Sequence, residues 1–545
     1  MPITDLLVNN AKSSGDLICL TEINPELEEK NGLQWKELAL VETARSNPYR
    51  KELTWRAFDE KANQFANLLL DRGVQRGDKV GVLLMNCIEW LPIYFGVLKS
   101  GATVVPLNFR YSSDEIVYTL DLADVSILVL GPEFVERVQP ILGEIPKVRA
   151  MFYVGEDCPG FAESYTLMAD GQPMDDPGIA LSDSEDAAIY FSSGTTGFPK
   201  AILHSHLSLS TSCRVEQNHH SQTPDDVFLC IPPMYHTGAK MHWFGSLLAC
   251  GRAVLLRGTK PKWILETASA EKASIVWLLV PWAQDILDAI ESGEVRLEDY
   301  DFSAWRLMHI GAQPVPPSLI RRWMKYFPSH QYDTNYGLSE SCGPGAVHLG
   351  VENIHKVGAI GKAGYGWQTK IVDESGKEVQ PGEVGELAVF GDCVMNGYYK
   401  DPEATAATLK DGWLYTGDMA REDEDGFIFL VDRKKDVIIT GGENIYPVQI
   451  EDFLRGNDKI KDVAVIGLAD HRLGEIAVAI VEVKPDMALD EEELRQFCGQ
   501  LPRYKRPHQF FFDEVPRNAT GKIEKPRLRT KYGADSIVKQ QIEIE

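Results

Sequence analysis

The sequence predicts an α/β protein with a large N-terminal domain of doubly wound sheets, which includes a β-rich subdomain, followed by a small mobile α+β domain. Three observations lead to this fold class. Strand-like and helical segments alternate over the first two thirds of the chain, short strands and turns follow after about residue 358, and the last stretch of roughly 110 residues mixes both patterns. At ~100–200 residues per domain, 545 residues suffice for several such units.

The alternation of helices and strands is clearest between residues 53 and 130. Apolar residues spaced three and four apart predict a helix over 55–72 that ends at Gly73. A strand over 79–84, a helix over 90–99 and a strand over 102–107 follow. This order predicts a parallel sheet covered by helices. The same pattern recurs with strands at Ala187–Ser192, Val227–Ile231, Ala253–Leu256, Ile275–Val280 and Leu307–Ile310.

Later segments predict two smaller modules. Hairpins are expected at 369–379 around Gly376 and at Asp425-Gly426, with a strand at 385–390. We therefore predict an N-terminal domain over 1–431, its β-rich subdomain over about 358–431, a hinge at 432–436 and a C-terminal lid domain over 437–545. In the lid we expect strands at 463–467 and 477–483 and a helix at 490–501.

Charge narrows the classes of function. Eighty acidic residues against 55 Lys and Arg give a net charge of −25, which disfavours nucleic-acid and anionic membrane surfaces. A basic segment between Arg503 and Lys531 reverses this charge locally, and it fits small phosphorylated cosubstrates better than polymeric anions. No apolar run reaches membrane-spanning length and no targeting signal is apparent, so a cytoplasmic location is expected.

The loop from Tyr190 to Lys200, YFSSGTTGFPK, is the strongest local signal of chemistry. It follows a predicted strand, its glycines allow a close backbone approach to a ligand, and its hydroxyls, amides and lysine suit phosphate oxygens. It does not match the Walker A pattern, since Lys200 is followed by Ala201. Taken alone, the loop is equally compatible with an ordinary turn.

Five further segments occur in a fixed order, and together with this loop they resemble the adenylate-forming superfamily, which includes acyl-CoA synthetases, adenylation domains of peptide synthetases and firefly-type luciferases. They are Tyr336–Glu340 (YGLSE), Gly385-Glu386-Leu387 with Gly397-Tyr398-Tyr399, Tyr415–Asp418 (YTGD), Asp432–Lys435 (DRKK) with Gly441–Pro447 (GGENIYP), and Asn518–Ile523 (NATGKI). The resemblance covers residues from about 50 to about 530.

The resemblance implies a role for each matching residue. Catalysis would use Lys522, His236, Glu340 and Lys200, with Glu340 also binding Mg²⁺. ATP and AMP would contact Ser192, Ser193, Gly194, Thr195, Thr196, Gly197, Gly311, Ala312, Gln313, Tyr336, Gly337, Ser339, Asp418 and Arg433. The segment Gly311-Ala312-Gln313 departs from the family's G-G-A, which leaves the geometry there open.

Lys435 corresponds to the family's hinge, and Gly441 and Gly442 to its CoA-binding glycines. The implied acyl pocket comprises His236, Thr237, Gly238, Met241 and Gly337. Gly337 stands where acetate-specific relatives carry Trp, which indicates a larger acid.

The sequence therefore predicts an ATP-dependent acyl-CoA synthetase that converts a carboxylate to acyl-AMP and then to acyl-CoA, with domain rotation between the two steps. ATP, Mg²⁺ and CoA are the expected cofactor and cosubstrates, and the acid is expected to be medium-chain, aromatic or alicyclic. Two alternatives stay open: transfer of the acyl group to a carrier protein or other acceptor, and a non-catalytic binder. The expected partners are small molecules rather than nucleic acid or membrane, and homodimer formation is left open.

Overall fold

The computed structural model describes residues 1–25, 50–192, 199–311, 315–440, 443–485, 487–517 and 523–542. Packing divides the chain into two compact units, Met1–Thr369 with Val389–Leu414 and Lys370–Ala388 with Tyr415–Glu545. The predicted domains are separated by a hinge at residues 432–436, about which the smaller domain would move. The two packing units do not test such motion, so these boundaries stay a prediction. None of the described helices is both long and apolar enough to cross a bilayer.

Within the described residues, the helices are α1 (Thr4–Ser14), α2 (Trp55–Asp71), α3 (Trp90–Lys99), α4 (Ser113–Leu122), α5 (Val135–Val138), α6 (Tyr165–Asp170), α7 (His206–His220), α8 (Thr237–Ala249), α9 (Pro261–Ala270), α10 (Val280–Glu291), α11 (Pro317–Tyr326), α12 (Pro402–Thr408), α13 (Pro447–Leu454), α14 (Glu491–Cys498) and α15 (Lys525–Ile542). Short 3₁₀ helices span Pro132–Phe134, Gln139–Glu144, Leu297–Asp299, Val351–Lys356 and Arg503–Lys505.

The strands are β1 (Ile18–Ile23), β2 (Arg50–Thr54), β3 (Lys79–Leu83), β4 (Thr103–Pro106), β5 (Val125–Leu130), β6 (Ala150–Tyr153), β7 (Glu163–Ser164), β8 (Asp186–Phe191), β9 (Ala201–Ser205), β10 (Val227–Cys230), β11 (Arg252–Leu256), β12 (Ile275–Leu279), β13 (Leu307–Gly311), β14 (Gln331–Leu338), β15 (Gly343–Leu349), β16 (Lys362–Ala363), β17 (Gln368–Val372), β18 (Gly385–Phe390), β19 (Gly397–Tyr398), β20 (Leu409–Lys410), β21 (Trp413–Glu422), β22 (Ile428–Arg433), β23 (Ile438–Thr440), β24 (Glu443–Ile445), β25 (Ile460–Asp470), β26 (Gly474–Val483) and β27 (Gln509–Phe512).

Two large mixed sheets build the first unit. One has the order β16-β15-β14-β13-β12-β10-β11-β1-β2, and the other β19-β9-β8-β4-β3-β5-β6-β7. Strands β10 to β14 and β1 run parallel, whereas β2, β15 and β16 at the ends are antiparallel. The second sheet is likewise parallel in its centre and antiparallel at β8, β9 and β19. The predicted α/β class is confirmed.

One apolar core joins helices to both sheets. It contains residues of α2, α3 and α8 together with residues of β3, β8, β10 and β11. The indole of Trp243 on α8 lies 6.0 Å from the Phe58 ring of α2 and 5.8 Å from the Phe95 ring of α3, measured between centroids. The spacing that predicted α2 is explained by this burial, since Phe58, Ala62, Phe65 and Leu69 all face the core.

The lid part of the second unit is built on the long antiparallel pair β25–β26. Alternate residues face two separate cores, as strand geometry requires. Val463 and Val465 pack with α13 and α14, whereas Ala464 and Ile466 pack with Leu528 of α15. Both faces of this sheet are therefore covered by helices, in agreement with the predicted α+β module.

Candidate active site

Three strands of the nine-stranded sheet bring predicted site residues to the side formed by the carboxyl ends of its parallel strands. The chain leaves β10 in the segment that ends at His236, leaves β13 at Gly311, and ends β14 with Tyr336-Gly337-Leu338. Because β10, β12, β13 and β14 are parallel neighbours, their carboxyl ends share this side. Ligands of open α/β sheets bind outside such carboxyl ends.

Tyr398 links two of the predicted catalytic residues. Its hydroxyl donates a hydrogen bond to Glu340 Oε1 at 2.9 Å, and Lys200 Nζ lies 4.7 Å from the centre of its ring. The Met395 amide also holds the Glu340 carbonyl at 2.8 Å. Burial, followed by the charge of Glu340, raises the pKa of the Tyr398 hydroxyl, so the phenol stays a neutral donor. Sequence analysis used Tyr398 as part of a motif but missed this role.

Ser192 and Lys200 meet at the base of the predicted phosphate loop. They follow β8 and precede β9, which pair in antiparallel fashion next to them at Phe191 and Ala201. The Ser192 amide donates to the Lys200 carbonyl at 3.1 Å. The two ends of the loop are therefore fixed in register.

Ser339 is held from two directions. His204 Nε2 donates to the Ser339 carbonyl at 2.8 Å, and Thr237 Oγ1 donates to Ser339 Oγ at 3.4 Å. Burial lowers the pKa of His204 to about 4, so its imidazole is neutral at physiological pH. These bonds connect the end of β14 to β9 and to the start of α8.

The predicted acyl-pocket residues lie at the N-terminus of α8. The half-buried His236 precedes the helix, Thr237 and Gly238 begin it, and Met241 belongs to it. A Cβ on Gly238 would lie 3.0 Å from Cη2 of Trp277, so the indole approaches as closely as a glycine permits. Gly337 is exposed at the carboxyl end of β14. The rim of the Trp277 indole therefore borders this group at Gly238.

Lys240 is a buried cation of α8 that sequence analysis did not find. Its Nζ donates to the Met234 carbonyl at 3.2 Å and lies 4.0 Å from the centre of the Tyr190 ring. Burial lowers its pKa well below the ordinary value. The contact ties the segment before His236 to β8, and the sequence signal would have been a lysine within an otherwise apolar helix.

In the second unit, Asp418 and Arg433 are paired neighbours on β21 and β22. Arg433 Nε lies 3.0 Å from Asp418 Oδ1, and Asp418 is buried. Glu386 accepts hydrogen bonds from the Gly417 amide and from Lys434 Nζ, both at 3.0 Å. The Glu of the Gly385-Glu386-Leu387 motif thus braces the residues beside Asp418 and Arg433, a role that sequence analysis left unassigned.

The predicted hinge residue Lys435 is exposed and has buried carboxylates on both sides. Asp436 pairs with Arg529 of α15 at 2.7 Å. Asp432 Oδ2 accepts a hydrogen bond from the Val448 amide of α13 at 3.0 Å. Burial raises the pKa of Asp432 to about 6.

Lys522 belongs to a segment whose base is described. Arg517 and Ile523 form an antiparallel bridge on either side of residues 518–522. Arg517 is held by both oxygens of Asp462, at 2.7 and 2.9 Å, and Lys525 forms a buried ion pair of 2.9 Å with Glu451. The residues on both sides of segment 518–522 are thus held by defined contacts.

The remaining predicted residues lie outside the described ranges, and their roles stay predictions. They are Ser193, Gly194, Thr195, Thr196, Gly197, Ala312, Gln313, Gly441, Gly442 and Lys522.

Comparison with known families decides the class of this chain. A family model described as AMP-binding enzyme matches residues 33–399, more than half of the sequence. The chain belongs to the AMP-binding enzyme family. The model of the AMP-binding enzyme C-terminal domain matches residues 449–522 of the same chain. The resemblance to the adenylate-forming superfamily is confirmed.

Similar proteins carry acid–CoA ligase names. Long-chain-fatty-acid–CoA ligase FadD13 of Mycobacterium tuberculosis is 30% identical over 485 residues, which cover 88% of this chain and 93% of that protein. Feruloyl-CoA synthase of an Amycolatopsis species is 32% identical over 486 residues, with coverage of 88% and 94%. ATP-bound MatB from Rhodopseudomonas palustris has a similar structure, with a TM-score of 0.83, 26% identity and coverage of 98% and 99%. The predicted class, an AMP-forming acid–CoA ligase, is confirmed.

Proposed function

We propose that this AMP-binding enzyme activates a medium-chain, aromatic or alicyclic carboxylic acid in two steps at one site. The carboxylate attacks the α-phosphate of ATP to give acyl-AMP and pyrophosphate, and the CoA thiol then displaces AMP to give acyl-CoA. The observation that supports the proposal is the contact of Tyr398 with both Glu340 and Lys200, because it joins a carboxylate to the lysine that ends the predicted phosphate loop.

The donor set at Glu340 fits Mg²⁺. A carboxylate oxygen is the hard ligand that this ion prefers, and Mg²⁺ is usually held by one or two carboxylates together with substrate phosphates. Tyr398 bonds Oε1 of Glu340 and thereby orients the carboxylate. A bound Mg²⁺ would supply neutralisation of phosphate charge, while Lys200 and Lys522 would supply further positive charge to the phosphates and the acid.

Asp418 and Arg433 would bind the nucleotide. Their pairing across β21 and β22 leaves an oriented carboxylate suited to the ribose hydroxyls, and Glu386 limits the movement of both strands beside them. Tyr336 and Gly311, at neighbouring strand ends, would border the adenine.

The preference for a larger acid is supported by two features. Gly337 is exposed and contributes no side chain at the carboxyl end of β14, and the rim of the Trp277 indole borders Gly238. An aromatic border and the room left by glycine favour an apolar ring or chain over a small acid. The names of the two relatives, one for long-chain fatty acids and one for feruloyl-CoA, agree with such a range.

The second step would follow rotation of the lid domain about Lys435. Rotation would move Lys522 away from the acid and the phosphates, and it would bring Gly441 and Gly442 toward the pantetheine of CoA. One site can thereby serve two reactions that need different groups.

A panel of acids tests the overall reaction. Purified protein is incubated with ATP, Mg²⁺ and each acid, with and without CoA, and acyl-AMP and thioester are measured by mass spectrometry. We expect acid-dependent AMP release and a CoA thioester for at least one medium-chain, aromatic or alicyclic acid. Acyl-AMP without thioester, in the presence of CoA, would instead support a carrier protein or another acceptor.

Lys522→Ala tests the assignment of the first step. We expect a loss of acyl-AMP formation of at least 100-fold, whereas thioester formation from synthetic acyl-AMP persists. Lys531→Ala is the matched control, because this exposed lysine of α15 pairs with Asp513 instead. Equal loss of both half-reactions in Lys522→Ala would contradict the role.

A further inference from the structure

Five ionisable side chains come together in the interior behind the sheet edge. Glu216, His219 and His220 lie in the last turns of α7, His309 lies on β13 and Asp333 on β14. Their side chains are at most 3% exposed. Spacing of three and four residues places the helical members on neighbouring positions of one face. Nothing in the proposed reaction uses this cluster.

Three distances within the cluster match the spacing of two ligands on one metal ion. His220 Nε2 lies 3.3 Å from both Asp333 Oδ2 and His309 Nδ1, and His219 Nε2 also lies 3.3 Å from Asp333 Oδ2. Ordinary N–H···O bonds are about 2.9–3.0 Å long. Two ligands at ~2.0–2.1 Å from a tetrahedral Zn²⁺ are about 3.3–3.4 Å apart.

The donor set matches a metal site in kind. His220, His309 and Asp333 can each offer one donor atom within 4.8 Å of the other two. Imidazole nitrogens with one carboxylate suit zinc and similar divalent transition metals. His219 lies outside this set, although its Nε2 contacts Asp333 Oδ2 at 3.3 Å.

Glu216 supplies the orienting partner that such sites use. His220 Nδ1 lies 3.0 Å from Glu216 Oε1, while its Nε2 faces the other ligands. A histidine ligand commonly donates its second ring nitrogen to a carboxylate in this way. His309 Nδ1 contacts Asp333 Oδ1 at 2.5 Å, and an ion bound there would displace the proton that now joins them.

The charges of the cluster are compatible with a bound cation. Glu216 and Asp333 place two carboxylates in a dry interior, where uncompensated charge is costly. One divalent cation would neutralise both carboxylates, with imidazoles that have released their extra proton as its ligands. We propose that this enzyme holds a zinc-like divalent transition-metal ion between His220, His309 and Asp333. The ion would connect α7 to β13 and β14, the strands that end at the proposed nucleotide site.

The test is stoichiometric metal binding by the intact, tag-free protein. After treatment with a chelator and titration with Zn²⁺, we expect one ion per chain by mass spectrometric elemental analysis, with release of at least one proton on binding. Co²⁺ in its place should give the visible absorption of a four-coordinate ion. Binding of less than one-tenth equivalent of Zn²⁺ by the folded wild-type protein would overturn the proposal.

Variants locate the site. His309→Gln and Asp333→Asn should lower Zn²⁺ affinity at least 100-fold, whereas His330→Gln removes another buried imidazole, packed against Trp305, and should leave it unchanged. Circular dichroism verifies folding of each variant. Should the cluster variants not fold, the cobalt spectrum of the wild-type protein still decides. Unchanged Zn²⁺ affinity in folded His309→Gln and Asp333→Asn would refute the assignment.

Discussion

Removing the Tyr398 hydroxyl should impair the use of MgATP without disturbing the fold. Tyr398→Phe deletes the 2.9 Å bond to Glu340 and retains the ring beside Lys200. A hydrogen bond to a charged group contributes about 1.5–3 kcal/mol. At 1.36 kcal/mol per tenfold, kcat/KM for MgATP should fall roughly 10- to 150-fold. The concentration of Mg²⁺ needed for half-maximal rate should rise as well.

The assay is ATP–pyrophosphate exchange, measured over a range of Mg²⁺ and ATP concentrations with a fixed acid. Tyr399→Phe is the matched control, because the adjacent hydroxyl donates to Asp124 at 3.0 Å, away from Glu340. Equal rates for the two variants at every Mg²⁺ concentration would refute the role given to Tyr398.

Three further predictions concern the acyl pocket, the lid and the hinge. Gly238→Ala places a methyl group 3.0 Å from Trp277 Cη2. It should change the ratio of kcat/KM between a flat aromatic acid and a flexible acid about tenfold. Gly143→Ala is the control, because the space around Gly143 is open, and it should leave this ratio unchanged. The pKa of Asp432 is about 6 in the folded protein, against an ordinary value of 3.8, so folding favours its protonated form. This contribution to the free energy of unfolding, at most about 3 kcal/mol, should be lost as the pH rises from 4 to 6. Urea unfolding of Asp432→Asn should lack this decline, and parallel pH curves for wild type and variant would count against it. Lys435→Pro, which fixes φ, should retain pyrophosphate release and lose thioester formation, and an unchanged thioester rate would exclude Lys435 as the hinge.

The regular elements were largely predictable because local pattern and burial agree. The predicted helices 55–72 and 90–99 and the strands of the first unit differ from the observed bounds by at most one residue. Which strands pair with one another was harder to predict than where each strand lies. The hairpin β14–β15 brings an antiparallel edge to a parallel sheet, and no local spacing in YGLSE indicates it. The expected return arm of the 369–379 hairpin pairs through the single bridge Val372–Glu378 rather than as a full strand.

Within the candidate site, motifs indicated which residues matter but not what holds them. Glu386 and Tyr398 stood in recognised motifs, yet their partners lie 31 and 58 residues away in sequence. The roles of Lys240 and His204 depend on burial, which follows from how helices and sheets pack, although a lysine within an apolar helix was a signal for Lys240. The buried cluster of Glu216, His219, His220, His309 and Asp333 likewise combines three separate elements, which no local pattern connects.

The bond between the Val448 amide and Asp432 has a consequence for the rate of the whole cycle. Its partners lie on opposite sides of Lys435 in sequence, so the proposed rotation must break the bond and re-form it once in each turnover. A bond worth about 1.5–3 kcal/mol weights the two arrangements of the lid by a factor of roughly 10 to 150. The fraction of time that the enzyme spends ready for CoA would then depend on a carboxylate that touches neither substrate.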